Sequence, residues 1–269
     1  MKKILAIFTF ILLLLSQRAL ASEIKFVQVT DSHYSKGNEY SGKVLKAAVK
    51  DINSLNGVSF VVFTGDNINK ANEEDLVEFT KIVNKLNVPY YIVIGNHDVF
   101  KSNGLSKERY LEVVKENNIL FKQKTPDYYF RKGEFGFLIA DGAKEIIPGA
   151  NGYFKQSTLD YIDKKLTKHK NQKFVIFQHF PLIQPYDSKT HSTYKAEEYL
   201  ARLNKHSNVI AVVSGHFHVN NEKMQDGIYH INTPSLLKLP HQYKIIDINI
   251  TKGFSPMIYT QLREVNAEE

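Results

Sequence analysis

Tyr90-Tyr91-Ile92-Val93-Ile94-Gly95-Asn96-His97-Asp98 (YYIVIGNHD) runs five apolar or aromatic residues straight into a glycine, an amide, an imidazole and a carboxylate. An apolar run without polar alternation fits a strand buried on both faces, as in sheets covered by helices. Its polar tail then falls at the carboxyl end of the strand, where ligands gather in open sheets with helical crossovers. One stretch thus predicts a layered fold and the rim of a site.

The same pattern recurs along the chain. Glu23–Thr30 leads into Asp31-Ser32-His33, Val58–Thr64 into Gly65-Asp66, Lys173–Gln178 into His179, and Val209–Ser214 into Gly215-His216-Phe217-His218. Helical periodicity is read over Gly42–Leu55, Asn72–Asn87, Ser106–Asn117, Gln156–His169 and about Tyr194–Lys205. Tyr128–Lys132 and Phe135–Asp141 flank Gly133-Glu134 as an antiparallel hairpin, and Gly227–Asn232, Tyr243–Ile250 and Met257–Leu262 read as further strands. Alternating strands and helices followed by a strand-rich half predict a mixed α/β (α+β) fold: two packed mixed sheets with helices outside.

The remaining composition bounds the setting. The chain has 269 residues, 43% of them hydrophobic, which suits a single domain over residues 22–269. Lys2 and Lys3, the apolar run Ile4–Leu15 and the Ala19-Leu20-Ala21 end mark residues 1–21 as a secretory signal peptide cleaved after Ala21. A retained anchor is the competing reading. The expectation is an exported, periplasmic or extracellular protein with no membrane span after cleavage. Without cysteine there is no lipid-anchor site and no disulfide, and any metal must be held by nitrogen and oxygen. The net charge of +7 falls to +4 when Lys2, Lys3 and Arg18 leave, which suits an anionic substrate but names no partner. No basic stripe interleaved with aromatics points to nucleic acid. Oligomeric state leaves no mark in the sequence.

Five strand ends would gather Asp31, His33, Asp66, Asn96, His179, His216 and His218. Imidazoles mixed with carboxylate and amide oxygens suit first-row divalent or trivalent ions. Seven ligands exceed the needs of one ion and fit two ions sharing a carboxylate. Singly, Gly-Asp is a turn dipeptide and His179 a strand-end histidine; together, in this order, they form a site.

In that order D-x-H, G-D, G-N-H-D, H and G-H-x-H resemble the calcineurin-like metallophosphoesterase superfamily, from Asp31 to His218, with Asn232-Thr233-Pro234-Ser235 similar to a later segment. The resemblance implies a four-layer α/β/β/α sandwich and two metal ions, whether iron, manganese, zinc or cobalt. It also implies a ligand set: Asp31, His33 and His218 for one ion, Asn96, His179 and His216 for the other, and Asp66 bridging. His97 becomes the catalytic histidine and Asp98 the carboxylate orienting it. Asn69 stands where purple acid phosphatases carry a tyrosine ligand, and Lys70 and Asp98 depart from the protein serine/threonine phosphatase pattern. The chain is most similar to compact phosphodiesterases and phosphatases, class III cyclic-nucleotide phosphodiesterases among them.

A small phosphoester, mono- or diester, is therefore the expected substrate. Two metals clamp the phosphoryl group and supply a bridging hydroxide for in-line attack, and an imidazole can protonate the leaving alkoxide. The alternative is an exported metal-binding protein of the same fold without catalysis. His191 and His241 read as exposed loop histidines, Tyr34, Lys36 and Asn38 as solvated residues near the rim, His169 and His206 as helix-end residues, and Tyr128-Tyr129-Phe130 as a packed strand.

Overall fold

Alternation along each strand decides the layering. In the first strand Phe26 faces one core with Ile24, while Val27 and Val29 face another. Phe60 and Val62 likewise part from Val61 and Phe63, and Val175 and Phe177 from Phe174 and Ile176. One core thus contains residues of two sheets and none from a helix; the other lies between sheets and helices.

The computed structural model describes residues 21–267. The proposed leader, apart from its last residue, lies outside them. Eleven strands and five helices follow in the order β1 (Ala21–Val29), α1 (Glu39–Asn53), β2 (Val61–Thr64), α2 (Glu73–Val83), β3 (Tyr90–Val93), α3 (Lys107–Asn117), β4 (Tyr128–Lys132), β5 (Phe135–Ile139), α4 (Gln156–Lys168), β6 (Lys173–Phe177), α5 (Ala196–Leu203), β7 (Val209–Ser214), β8 (Asn221–Gln225), β9 (Ile228–Asn232), β10 (Gln242–Thr251) and β11 (Met257–Glu264). A five-stranded sheet has the order β11-β10-β1-β2-β3 and a six-stranded sheet β4-β5-β6-β7-β9-β8. β1, β2 and β3 are parallel, as are β5, β6, β7 and β9, and the other strands pair antiparallel. Both sheets are mixed and flanked by helices, as expected. The strand that the sequence did not announce is β8, whose five residues NEKMQ are exposed or half-exposed and lack an apolar face.

Aromatic rings fill the space between the sheets. Phe26 stacks on Phe60 at 5.0 Å and meets Phe177 edge-on at 5.4 Å, and Tyr91 stacks on Phe130. Burying each such ring stabilises the fold by about 1.5–3 kcal/mol. At one edge the Tyr128 hydroxyl donates to the Ile92 carbonyl. At the opposite edge the buried Lys244 on β10 donates to Glu222 on β8 and to the Asn232 carbonyl. Nearer the site the core turns polar. Gln28 donates to Thr64 Oγ1 at 2.8 Å and to the Ser214 carbonyl at 2.9 Å, and accepts from Thr233 at 2.6 Å. This satisfied network ties both sheets together beneath the strand ends.

Candidate metal centre

Each β1, β2, β3, β6 and β7 strand end turns sharply to present its polar residues. Asp31, His33, Asp66, His216 and His218 have φ of 51°, 40°, 50°, 71° and 59°. Non-glycine residues in this left-handed region cost of order 1 kcal/mol each, and such strain concentrates at functional sites. Glycines make room for the approach. A Cβ on Gly95 would stand 2.2 Å from Asp66 Oδ1, and one on Gly215 would stand 1.9 Å from Thr30 Oγ1.

Three triads of donors result, two of which share no residue. Asp31, His33 and His218 form one of these, and Asp66, His179 and His216 the other, while His33, Asp66 and His97 overlap both. In the first, His218 Nε2 lies 3.1 Å from Asp31 Oδ1 and 3.2 Å from His33 Nε2. In the second, His179 Nε2 lies 3.3 Å from Asp66 Oδ2 and 3.1 Å from His216 Nδ1. His179 Nδ1–H donates to the Thr64 carbonyl at 2.8 Å, which turns Nε2 toward Asp66. Asp66 Oδ2 also faces His33 at 3.9 Å, so it stands between the triads, while Oδ1 accepts from the His97 amide. Asn96 Oδ1 is buried without a hydrogen-bond partner. A buried acceptor left unpaired on the residue before His97, together with imidazole nitrogens that face one another, fits a pair of cations.

Electrostatics agree. Burial alone would raise the Asp31 carboxyl, but the His218 hydrogen bond and the His179 charge hold it at about 2. Asp66 is likewise held below the usual carboxylate range, against its burial, chiefly by His179. Burial would lower His179, yet Asp66 raises it to about 9. Burial and the neighbouring His179 push His216 down to about 3, and burial lowers His33.

His97 sits at the edge of this cluster. Its Nδ1–H donates to the Asn69 carbonyl at 2.8 Å, its Nε2 lies 4.0 Å from Asp66 Oδ2, and its ring meets His33 edge-on at 4.8 Å. Asp98 is a correction. It does not orient His97 but turns inward, fully buried, where Oδ1 accepts from the Asn67 and Ile68 amides and Oδ2 from the Gly95 amide and Asn67 Nδ2. Its burial raises the carboxyl to about 7, with the nearby Asp66 adding to the rise and the amide donors opposing it. The reason is local: the chain bends over residues 96–98, and four N–H groups converge on its inner side, where only the Asp98 carboxylate can accept them.

Other readings change too. His191 packs against the His216 ring at 5.0 Å instead of standing free. His241 is buried, bonded to the Tyr40 hydroxyl and the Leu236 carbonyl. Tyr34 is buried and bridges to Ile68. Asn38 caps α1 by accepting from the Tyr40 amide, and Lys36 pairs with Glu74. Unseen in the sequence was the support from Ser235, whose hydroxyl donates to the Asp31 carbonyl at 2.7 Å. The Asn-Thr-Pro-Ser segment was the only signal for it.

A two-sheet sandwich with metal-ligating residues at its strand ends defines the class, a metal-dependent phosphoesterase fold. The chain belongs to the calcineurin-like phosphoesterase family, which it matches over residues 24–220. It is 29% identical over 203 residues to the Arcobacter nitrofigilis protein described as "Probable glycerophosphodiester phosphodiesterase GpdQ", with 71% of each chain covered. To the 3',5'-cyclic-nucleotide phosphodiesterase alr5338 of Nostoc sp. it is 21% identical, covering 79% of this chain and 78% of that one. The fold is similar to a dimetal phosphatase from Danio rerio, with a TM-score of 0.66 at 18% identity over 88% of this chain and 98% of that one. The protein is accordingly a metallophosphoesterase. Among the described residues no helix is long and apolar enough to cross a membrane.

Proposed function

We propose that the protein is an exported enzyme hydrolysing a small phosphate ester with two metal ions of the iron, manganese, zinc or cobalt type. The observation that carries this reading is Asp66 Oδ2, a single carboxylate oxygen facing His33 of one triad and His179 of the other. Asp31, His33 and His218 then hold one ion, Asn96, His179 and His216 the second, and Asp66 both. Bound there, the ions supply Lewis acidity toward the phosphoryl oxygens and lower the pKa of a water.

The remaining work belongs to the chain. The ligands come from five strand ends locked by main-chain bonds, such as the Asp31 amide to the Gly65 carbonyl and the Gly215 amide to the His179 carbonyl, so the site is preorganised. With Nδ1–H fixed on Asn69, His97 directs Nε2 inward, where the imidazolium form can pass its Nε2 proton to the departing alkoxide and become the neutral Nδ1–H imidazole. The relatives are named for glycerophosphodiester and cyclic-nucleotide hydrolysis, so a small diester is the first substrate class to assay.

The test combines elemental analysis of reconstituted protein with hydrolysis of a phosphomonoester, a phosphodiester and a cyclic nucleotide. Two metals per chain and turnover of at least one ester are expected. One metal with full activity would overturn the binuclear reading. Two metals with no turnover would favour a metal-binding protein without catalysis.

A further inference from the structure

The loop after β6 carries two rings that the metal chemistry does not use. The end of this loop next to His191 is held firmly: Asn151 Nδ2 donates to Ser192 Oγ at 2.9 Å, the Gly152 amide to the Ser192 carbonyl at 3.0 Å, and the Thr193 hydroxyl to the Pro181 carbonyl at 2.8 Å. At this end His191 lies 5.0 Å from the His216 ring and 6.1 Å from that of Phe217. Its Nδ1 is engaged by the Thr190 hydroxyl at 2.9 Å. Tyr186 rests edge-on against Phe217 at 5.0 Å. Phe217 is buried between the two histidines of Gly-His-Phe-His in the chain, so Tyr186 is one ring removed from the candidate ligand His216.

Tyr186 is 54% exposed, although it sits on a buried ring. An edge-on contact uses little of its surface, and among the described residues its hydroxyl has no hydrogen-bond partner. A large aromatic face held open on a buried ring next to a candidate metal ligand can serve as a stacking platform, since any planar group offers it a π-face. A polyol offers none.

We propose that Tyr186, seated on Phe217 beside the candidate ligand His216, forms a subsite for the planar aromatic group of a phosphoester, either an aryl ring or a nucleobase. The inference rests on the phosphoesterase reading and extends it to substrate choice. The phosphoryl group sits among the strand-end ligands, and the aromatic ester group extends onto Tyr186. Polyol esters bind without the platform. Selectivity between the two ester types therefore resides in Tyr186.

The experiment measures kcat/KM of the metal-loaded enzyme for a cyclic nucleotide, an aryl alkyl phosphodiester and a glycerophosphodiester, in wild type, Tyr186→Ala and Tyr186→Phe. The ratio of aromatic to glycerol ester kcat/KM should fall roughly tenfold in Tyr186→Ala, mainly through KM, and return in Tyr186→Phe. An unchanged ratio, or equal losses on all three esters, overturns the subsite and makes Tyr186 mere cover for Phe217. Calorimetry with an aryl phosphonate against an alkyl phosphonate reads the same preference without turnover. An enzyme inactive on every ester therefore fails the parent reading alone, while loss of the aryl preference on Tyr186→Ala still supports the subsite and its absence in wild type overturns it.

Discussion

His97 is oriented by a backbone carbonyl, that of Asn69, and this makes its role separable from metal binding. His97→Ala should keep both metals and slow turnover roughly 10²–10⁴-fold, the scale of general acid catalysis. The deficit should shrink for esters with a good leaving group such as p-nitrophenolate, which needs no proton. Loss of metal in the variant would make His97 a ligand, a role its 4.0 Å approach to Asp66 keeps in view. Asp98 supports the fold: it collects four N–H donors from the Gly65-Asp66 and Gly95-Asn96 turns. Asp98→Ala strands those donors and should cost about 3 kcal/mol or more in denaturant unfolding. Wild-type stability with a defect confined to proton donation would put the carboxylate back on the His97 ring. At this scale residue types were legible and directions were not. Glycine beside Asp, Asn and His announces a crowded turn, but nothing in GNHD tells which of His97 and Asp98 faces the site.

Elements were legible where burial imposes a pattern. β2, β3 and β7 read as apolar runs because both of their faces are covered, whereas β8 is an edge strand held by backbone pairing to β9 and by Lys244 reaching Glu222. Its polar sequence is normal for an edge, which must avoid pairing with other chains. β9 hides a pH-sensitive group. Burial, with Lys223 nearby, pushes His230 from 6.5 down to about 4, and its Nε2 is buried without a partner. Between those values the unfolded chain takes up a proton that the folded chain refuses. His230 therefore opposes no folding above pH 6.5, and stability drains away as pH falls toward 4. His230→Leu should remove roughly 2 kcal/mol of the stability lost between pH 7 and 4.5, read by urea unfolding at both pH values. Equal acid sensitivity in both proteins would show the imidazole to be hydrated and free to titrate.

Over the whole molecule, the two-sheet plan followed from alternation and from helices falling between parallel strands, while the loop packing that brings His191 onto His216 had no periodic signal behind it. The proposed cleavage after Ala21 is compatible with the sheet, since the pairs from Ser22–Ile250 to Gln28–Lys244 survive it. Protein from the extracytoplasmic fraction should begin at Ser22 by mass spectrometry; a membrane-bound chain retaining Met1 would replace export with anchoring. The position of β1 between β2 and β10 also imposes a timetable. β1 needs a neighbour from residues 242–251, made long after it, and His33 precedes His218, which it faces, by 185 residues. A chain emerging from a ribosome or a translocation channel holds the edge of β1 open until β10 is out, and such long-range pairing is slow to form. A chain stalled before residue 242 already carries all seven candidate ligands, yet the sheet that presents Asp31 and His33 lacks its closing strand. The sheet that presents Asp31 and His33 is therefore completed only once β10 is in place, and ion uptake would follow that closure and not precede it.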